Sequence, residues 1–235
     1  MSLFKFKKFD IEQEGCAQKV GTDSMVLGSF VNHDNPKRIL DIGTGNGILA
    51  LMMAQKFEDA EITGVEIQDV CFTVAQSNFH NSNFEHRLHA LNADFNSYEF
   101  TKKFDLIVSN PPFFENSMQS SSNERTISRH QSNLKISDLL AIAADNLMLN
   151  GVIWLIIPKE SSGELIDKSE ECGLKLFRRI NIYGKPLLHK RDILAFIKTS
   201  DTIDSTQEDF TIRSNIGEYT DQYKAMTFDF HYRAL

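Results

Sequence analysis

Phe104-Asp105-Leu106-Ile107-Val108-Ser109-Asn110-Pro111-Pro112-Phe113-Phe114 is the stretch that decides how this chain is read. Its first half is apolar and partly β-branched, as a buried strand should be. The apolar run stops at Ser109-Asn110, and two prolines follow. Neither proline can donate to a sheet ladder, and each holds the residue before it in an extended conformation. The strand therefore ends with Asn110 at its carboxyl tip and the aromatic pair Phe113 and Phe114 just beyond. In open parallel α/β sheets the ligand crevice lies outside the carboxyl ends of the strands. A stiff edge there, polar and then aromatic, suits a flat, hydrogen-bonding substrate such as a base. Taken alone, Asn-Pro is also an ordinary turn signal, so the rest of the chain has to decide.

Working outward, strands and helices alternate. Upstream, residues 38–42 read as a strand, Gly43-Thr44-Gly45-Asn46-Gly47 as a glycine-rich turn and residues 48–57 as a helix. A second strand follows at 61–66, a second helix at 68–79, and a third strand at 87–91 that runs out at Asn92-Ala93-Asp94. Downstream, residues 115–124 are rich in Ser and Asn and read as an irregular, mobile loop. A helix over 137–149 is closed by Asn150-Gly151. Residues 152–157 form a continuous apolar strand stopped by Pro158, and a helix over 160–172 ends at Gly173. Residues 174–183 and 192–198 read as the last two strands, an antiparallel pair joined through a Gly-Pro-containing connection. Such alternation means βαβ units and a mostly parallel sheet.

The ends are less regular. Residues 4–11 alternate Phe4, Phe6, Phe9 and Ile11 with Lys5, Lys7 and Lys8, the pattern of a short half-exposed strand or hairpin arm. Gly21 permits a tight turn, after which Thr22 or Asp23 can cap a helix carrying Met25, Val26, Leu27 and Phe30. Residues 199–208 are polar and acidic and read as a linker, and the aromatic-rich residues 219–232 are expected to pack back on the body. At 235 residues the chain can bury one full core, and it shows no internal repeat. The expected organisation is one domain: an extension over 1–35 that covers the site, a core over 36–200, and a linker and C-terminal segment over 201–235.

Composition narrows the class. No apolar run is long enough to cross a bilayer, and the N-terminus lacks the continuous apolar stretch of a signal peptide. Cys16, Cys71 and Cys172 are far apart and odd in number, so reduced thiols and a cytoplasmic protein are expected. The net charge of −7 counts against holding nucleic acid by overall charge, though a local basic face can exist on an acidic protein. His80, His86, His89 and His130 fall in no metal-ligand spacing, so no metal is expected.

The glycine turn has a partner. Glycines serve where the backbone turns sharply or a ligand comes close, and the helix that follows offers free N–H groups to a carboxylate. Counted against the dinucleotide pattern Gly-x-Gly-x-x-Gly, the third glycine falls on Ile48 from Gly43, and on Ala50 from Gly45. The actual spacing, Asp-x-Gly-x-Gly-x-Gly from Asp41, favours another ligand. Glu66, about twenty residues on, ends the second strand, where a carboxylate can accept both ribose hydroxyls. Asp94 and Phe95 at the third strand can meet an adenine amino group and its face, although a turn cap is the plainer role for Asp94. Asp41 with the glycines, Glu66, Asp94 and Asn110 thus follow in order along one edge.

On these residues the sequence resembles the class I S-adenosylmethionine-dependent methyltransferases. The turn Asp41, Gly43, Gly45, Gly47 is similar to their first motif, Glu66 to the acidic end of their second strand, and Asp94-Phe95 to their third motif. Asn110-Pro111-Pro112-Phe113 is similar to the signature of their amino-group methylators. Within that superfamily the chain resembles the bacterial tRNA1(Val) (adenine-37-N6)-methyltransferase family, through Lys19-Val20-Gly21-Thr22-Asp23, Tyr219-Thr220-Asp221-Gln222-Tyr223 and Asp229-Phe230.

The resemblance implies a Rossmann-like fold with a mostly parallel seven-stranded sheet, helices on both faces and an antiparallel C-terminal strand pair. It implies S-adenosyl-L-methionine as cofactor, held by Thr22, the residues of the glycine turn, Glu66, Ile67, Asp94, Phe95 and Asn110. Catalysis would fall to Asn110, Pro111, Pro112 and Phe113, acting on an adenine in the anticodon loop of a valine tRNA. RNA contacts are expected from Lys5, Lys7, Lys8, Arg125, Arg129, Arg178, Arg179, Lys190 and Arg191.

Four rivals remain. An N5-glutamine protein methyltransferase shares the Asn-Pro-Pro-aromatic edge, but those enzymes usually carry Tyr where Phe113 stands and a helical domain ahead of the core. A DNA adenine methylator would need a separate recognition domain. A nicotinamide oxidoreductase conflicts with the glycine spacing, and a non-catalytic cofactor- or RNA-binding module would not need the intact Asn110 edge.

Overall fold

The apolar runs form strands, and the sheet they build sets Asn110 at the tip of a central one. The computed structural model describes residues 3–16, 19–111 and 136–232. β3 (Arg38–Ile42) pairs in parallel with β4 (Glu61–Glu66) on one side and with β6 (Phe104–Ser109) on the other. β5 (Leu88–Asn92) continues outward from β4, and β7 (Leu147–Pro158) from β6, both in parallel. β9 (His189–Lys198) then runs antiparallel between β7 and β8 (Leu174–Tyr183). β10 (Thr206–Thr211) closes the order β10-β8-β9-β7-β6-β3-β4-β5, parallel to β8. The inner strands are covered on both faces, which is why they read as continuous apolar runs. The strand ends Ile42, Glu66, Asn92, Ser109, Pro158 and Tyr183 share one edge.

α1 (Thr22–Phe30), α2 (Ile48–Lys56), α3 (Asp69–His80) and α6 (Asp221–Thr227) contribute to one core layer, with Leu27, Met52, Phe79 and Tyr223 against Ile39, Val108 and Trp154. The other layer comes from α4 (Ile136–Asn146) and α5 (Ser162–Glu171), whose Leu139, Leu140 and Leu165 meet Leu40, Ile107 and Leu155. β1 (Leu3–Lys5) and β2 (Asp10–Glu12) form a hairpin, the second of the two arrangements the sequence allowed, with Phe6 and Phe9 buried and stacked at 4.4 Å. Phe6 bridges to His231, so the N-terminal arm meets the C-terminal segment. Buried Tyr223 and Phe230 fix the aromatic C-terminal segment on the body.

Four details depart from the sequence reading. Among the described residues the sheet has eight strands, not seven, because β10 lies where a linker was expected. Residues 206–209 of this edge strand are exposed and polar, and only Phe210 sinks into the core, so it carries almost no apolar signal. α4 ends at Asn146, before the expected stop, and β7 starts at Leu147. Leu147-Met148-Leu149 reads as a helix end, yet Leu147 is the first residue to pair with β6. Gly21, rather than Thr22 or Asp23, occupies the cap position of α1.

The fourth departure concerns the cysteines. Cys16 and Cys71 are joined in a disulfide with Cα atoms 4.9 Å apart, where reduced thiols were expected. Their separation of 55 residues hides the pairing, because only folding brings the N-terminal arm onto α3. Cys172 is free. No helix among the described residues is long and apolar enough to cross a membrane.

Candidate active site

The turn between β3 and α2 is built by its glycines and one buried carboxylate. Gly43, Gly45 and Gly47 all have positive φ, a region that costs other residues energy. A Cβ at Gly47 would lie 2.5 Å from the Phe79 ring of α3, whereas at Gly43 or Gly45 it would meet nothing within 4 Å. Gly47 thus packs the turn down, and the other two leave its outer surface open to a ligand. Asp41, fully buried, accepts at Oδ2 from Thr44 Oγ1 at 2.5 Å and from the Ala50 N–H at 3.1 Å. Its Oδ1 has no partner. Burial pushes the Asp41 carboxyl up to about 7, against the pull of its two hydrogen bonds, and the nearby Glu66 charge adds to the rise.

Glu66, buried at the tip of β4, faces this turn. Its Oε2 accepts from the Gly45 N–H and its Oε1 from the Gln68 N–H, both at 2.9 Å. Each carboxylate oxygen keeps further acceptor capacity. Ile67 follows with 39% exposure. Asp94 accepts at Oδ1 from the backbone and side chain of Asn96, the capping role its sequence allows. Phe95 is buried in the core layer formed with α4 and α5, near Phe100. Thr22 is exposed at the start of α1.

β6 delivers Asn110 to the same crevice. Ser109 Oγ donates to the Ile42 carbonyl at 2.8 Å and ties the tips of β6 and β3 together. Asn110 is 6% exposed; its Nδ2 donates to Ser24 Oγ at 2.9 Å, and its Oδ1 has no partner. Pro111 is buried beside it. A cleft lined by Lys19, Ser24, Gly43, Gly45 and Asn110 runs from the glycine turn to this amide. Pro112, Phe113, Arg125 and Arg129 lie outside the described residues, as do residues 115–124. Ser24 and Lys19 are the site residues the sequence reading missed. Ser24 sits in a local turn-and-helix pattern that carries no sign of a partner 86 residues away.

The expected RNA-contacting cations are largely engaged within the chain. Arg178 pairs with Glu208, Arg179 with Asp192 and Arg191 with Asp23. Lys7 lies 3.4 Å over the Phe228 ring, and Lys5 lies 5.7 Å from the Tyr232 ring. Lys8 and Lys190 are exposed.

A mostly parallel sheet with a glycine turn, an acidic second strand tip and Asn110-Pro111 at the central tip defines a class I methyltransferase. The methyltransferase small domain family model matches residues 15–166. The chain belongs to the tRNA1(Val) (adenine(37)-N6)-methyltransferase family. It is 34% identical to a member from Flavobacteriaceae bacterium (strain 3519-10), over 98% of this chain and 99% of that one. It is 40% identical to a member from Glaesserella parasuis serovar 5, over 83% of each. The fold is shared with a crystal structure from Agrobacterium tumefaciens described as a predicted O-methyltransferase, with a TM-score of 0.69, 20% identity and coverage of 91% and 98% of the two chains. A Pyrococcus furiosus methyltransferase aligns with a TM-score of 0.60 at 22% identity, over 81% of this chain and 89% of that one.

S-adenosylmethionine is the cofactor of this class, and the residues present fit it. The open surface at Gly43 and Gly45, the unpartnered Asp41 Oδ1 and the spare acceptor capacity of Glu66 suit a ligand with a cationic amino acid end and a ribose.

Proposed function

We propose that this protein methylates the N6 amine of an adenine in tRNA, specifically adenine 37 in the anticodon loop of a valine tRNA. The observation that carries the reading is the Asn110 amide, with Nδ2 tied to Ser24 and Oδ1 left without a partner at the end of the glycine-lined cleft. The names of the relatives point to the same substrate.

S-adenosylmethionine supplies the electrophilic methyl group; the protein supplies position and electrostatics. An aromatic amine is a poor nucleophile because its lone pair is shared with the ring. Asn110 Oδ1 and the Pro111 carbonyl accept its two N–H bonds, which favours a more tetrahedral nitrogen and aims the lone pair at the methyl group. The Pro111 ring stiffens this carbonyl edge. Glu66 would hold the ribose hydroxyls, the glycine turn would hold the amino acid end, and Ile67 and Asp94 would stand beside the adenine of the cofactor. The target base must leave its stack, which an anticodon loop allows.

The test is methyl transfer from labelled S-adenosylmethionine to unmodified bulk tRNA, followed by nucleoside analysis. N6-methyladenosine confined to a valine tRNA is the expected result. Label in a protein fraction and none in tRNA would overturn the reading in favour of glutamine methylation.

A further inference from the structure

The edge that carries the site divides by charge. On one side of Asn110, at or near the ends of β3, β4 and β5, stand Asp41, Glu66, Asp69 and Asp94. On the other side the strand ends carry lysines. Lys159 directly follows β7, Lys185 lies in the turn between β8 and β9, and Lys190 stands at the start of β9. All three are exposed. Among the described residues none of their ammonium groups has an ion-pair partner, whereas Lys37 and Lys168 are paired with Asp59 and Glu171.

The carboxylates of this half are mostly matched already. Asp192, fully buried, accepts from Ser162 Oγ, Arg179 and His189, and Asp23 pairs with Arg191. Glu160, next to Lys159, and Glu218, on the turn whose Arg213 N–H bonds to the Gly184 carbonyl, are exposed and each adds one opposing charge. The half-buried rings of Tyr183 and His189 stack at 5.0 Å at the base of the same turn, and Leu187 at its tip is 98% exposed. Rings at such a place suit unstacked bases, and lysines suit the backbone that links them. From β6 across β7 and β9 to β8 is three strand spacings, about 14 Å, so the lysines stand close beside the tip of β6.

We propose that Lys159, Lys185 and Lys190 form the RNA-docking surface, holding phosphates of the strand that flanks the target base. This rests on the tRNA reading above. The acidic half of the edge then meets the cationic cofactor and the basic half the polyanion. Segregation along one edge lets a protein of net charge −7 bind RNA. It also moves the phosphate contacts away from Arg178, Arg179 and Arg191, whose guanidinium groups are held by carboxylates.

The experiment compares two triple charge reversals in the full chain, Lys159→Glu/Lys185→Glu/Lys190→Glu and a control, Lys37→Glu/Lys102→Glu/Lys168→Glu. Binding of unmodified bulk tRNA is measured across a salt series, and cofactor binding by calorimetry. The first variant should bind tRNA at least about tenfold more weakly and lose roughly 0.7–0.9 from the log–log salt slope per phosphate contact removed, with cofactor affinity unchanged. The control should change neither. Equal weakening in both variants, or none in the first, overturns the surface. Absence of tRNA binding by the unaltered protein overturns the tRNA reading itself, and the surface with it. Methylation of tRNA that the first variant performs normally overturns the surface alone. Lys185→Ala, in an exposed turn, provides the same slope test should the triple variant fold poorly.

Discussion

The side chains of Asn110 and Ser24 are joined by one buried hydrogen bond, Nδ2 to Oγ at 2.9 Å, across 86 residues of sequence. α1 therefore holds one end of the amide while the other end, Oδ1, stays free to accept. Removing the Ser24 hydroxyl would leave a buried donor unsatisfied and let the amide rotate, at a cost of about 1–3 kcal/mol.

Ser24→Ala should accordingly lower kcat by about tenfold or more, with KM for tRNA and cofactor affinity little changed. Ser24→Thr, which keeps a hydroxyl, should recover most of the rate, and Asn110→Ala should abolish turnover while still binding cofactor. Steady-state kinetics of the three variants check this. A rise in KM alone for Ser24→Ala would mean that Ser24 does not orient the amide.

Glu66 is held by two backbone N–H groups, from Gly45 and Gln68, so it links the glycine turn to the tip of β4. Glu66→Ala should weaken cofactor binding by about 1.5–3 kcal/mol for each charge-assisted bond lost. Glu66→Gln should weaken it less, since the amide keeps one acceptor oxygen. Calorimetric titration with cofactor measures both, and the rate at saturating cofactor should be largely retained. Unchanged affinity in Glu66→Ala would remove Glu66 from the cofactor site.

The disulfide between Cys16 and Cys71 anchors the N-terminal arm to α3, the helix that follows Glu66. Closing a loop of 55 residues restricts the unfolded chain by about 4 kcal/mol on the chain-entropy account. Protein kept without reductant should show one reactive thiol on unfolding, Cys172, and three after reduction. Reduction, or Cys16→Ser, should lower the melting temperature. Three thiols before reduction would show the pair to be unbonded.

What was legible follows from range. β3, β4 and β6 could be located from their apolar runs, and the order Asp41, Glu66, Asp94, Asn110 from the stops at their ends, because each signal is local. The sequence could not say how deep Phe95 sits, because a strand-end aromatic reads alike whether exposed or, as here, buried beside Phe100. β10 was hidden by its polar, exposed edge residues. Ser24 and Cys16 find their partners only through tertiary contact, and the engagement of Arg178, Arg179 and Arg191 depends on carboxylates that no spacing rule connects to them.

Asp41 should make cofactor binding pH-dependent. Burial raises its carboxyl from the ordinary 3.8 to about 7, so the folded protein holds a proton there that the unfolded chain releases above about pH 4. The contribution of this group to stability is therefore greatest below about pH 4 and is lost as pH rises through about 7. A cationic ligand end near Asp41 favours the ionised form. Binding should thus release a proton below about pH 7, and affinity should climb with pH, by at most tenfold per unit, before levelling above about 7. Titrations between pH 5.5 and 8.5 in buffers of different ionisation enthalpy read both the affinity and the proton. Asp41→Asn should flatten the profile and abolish the proton release; a profile that keeps its slope in that variant would assign the proton to another group.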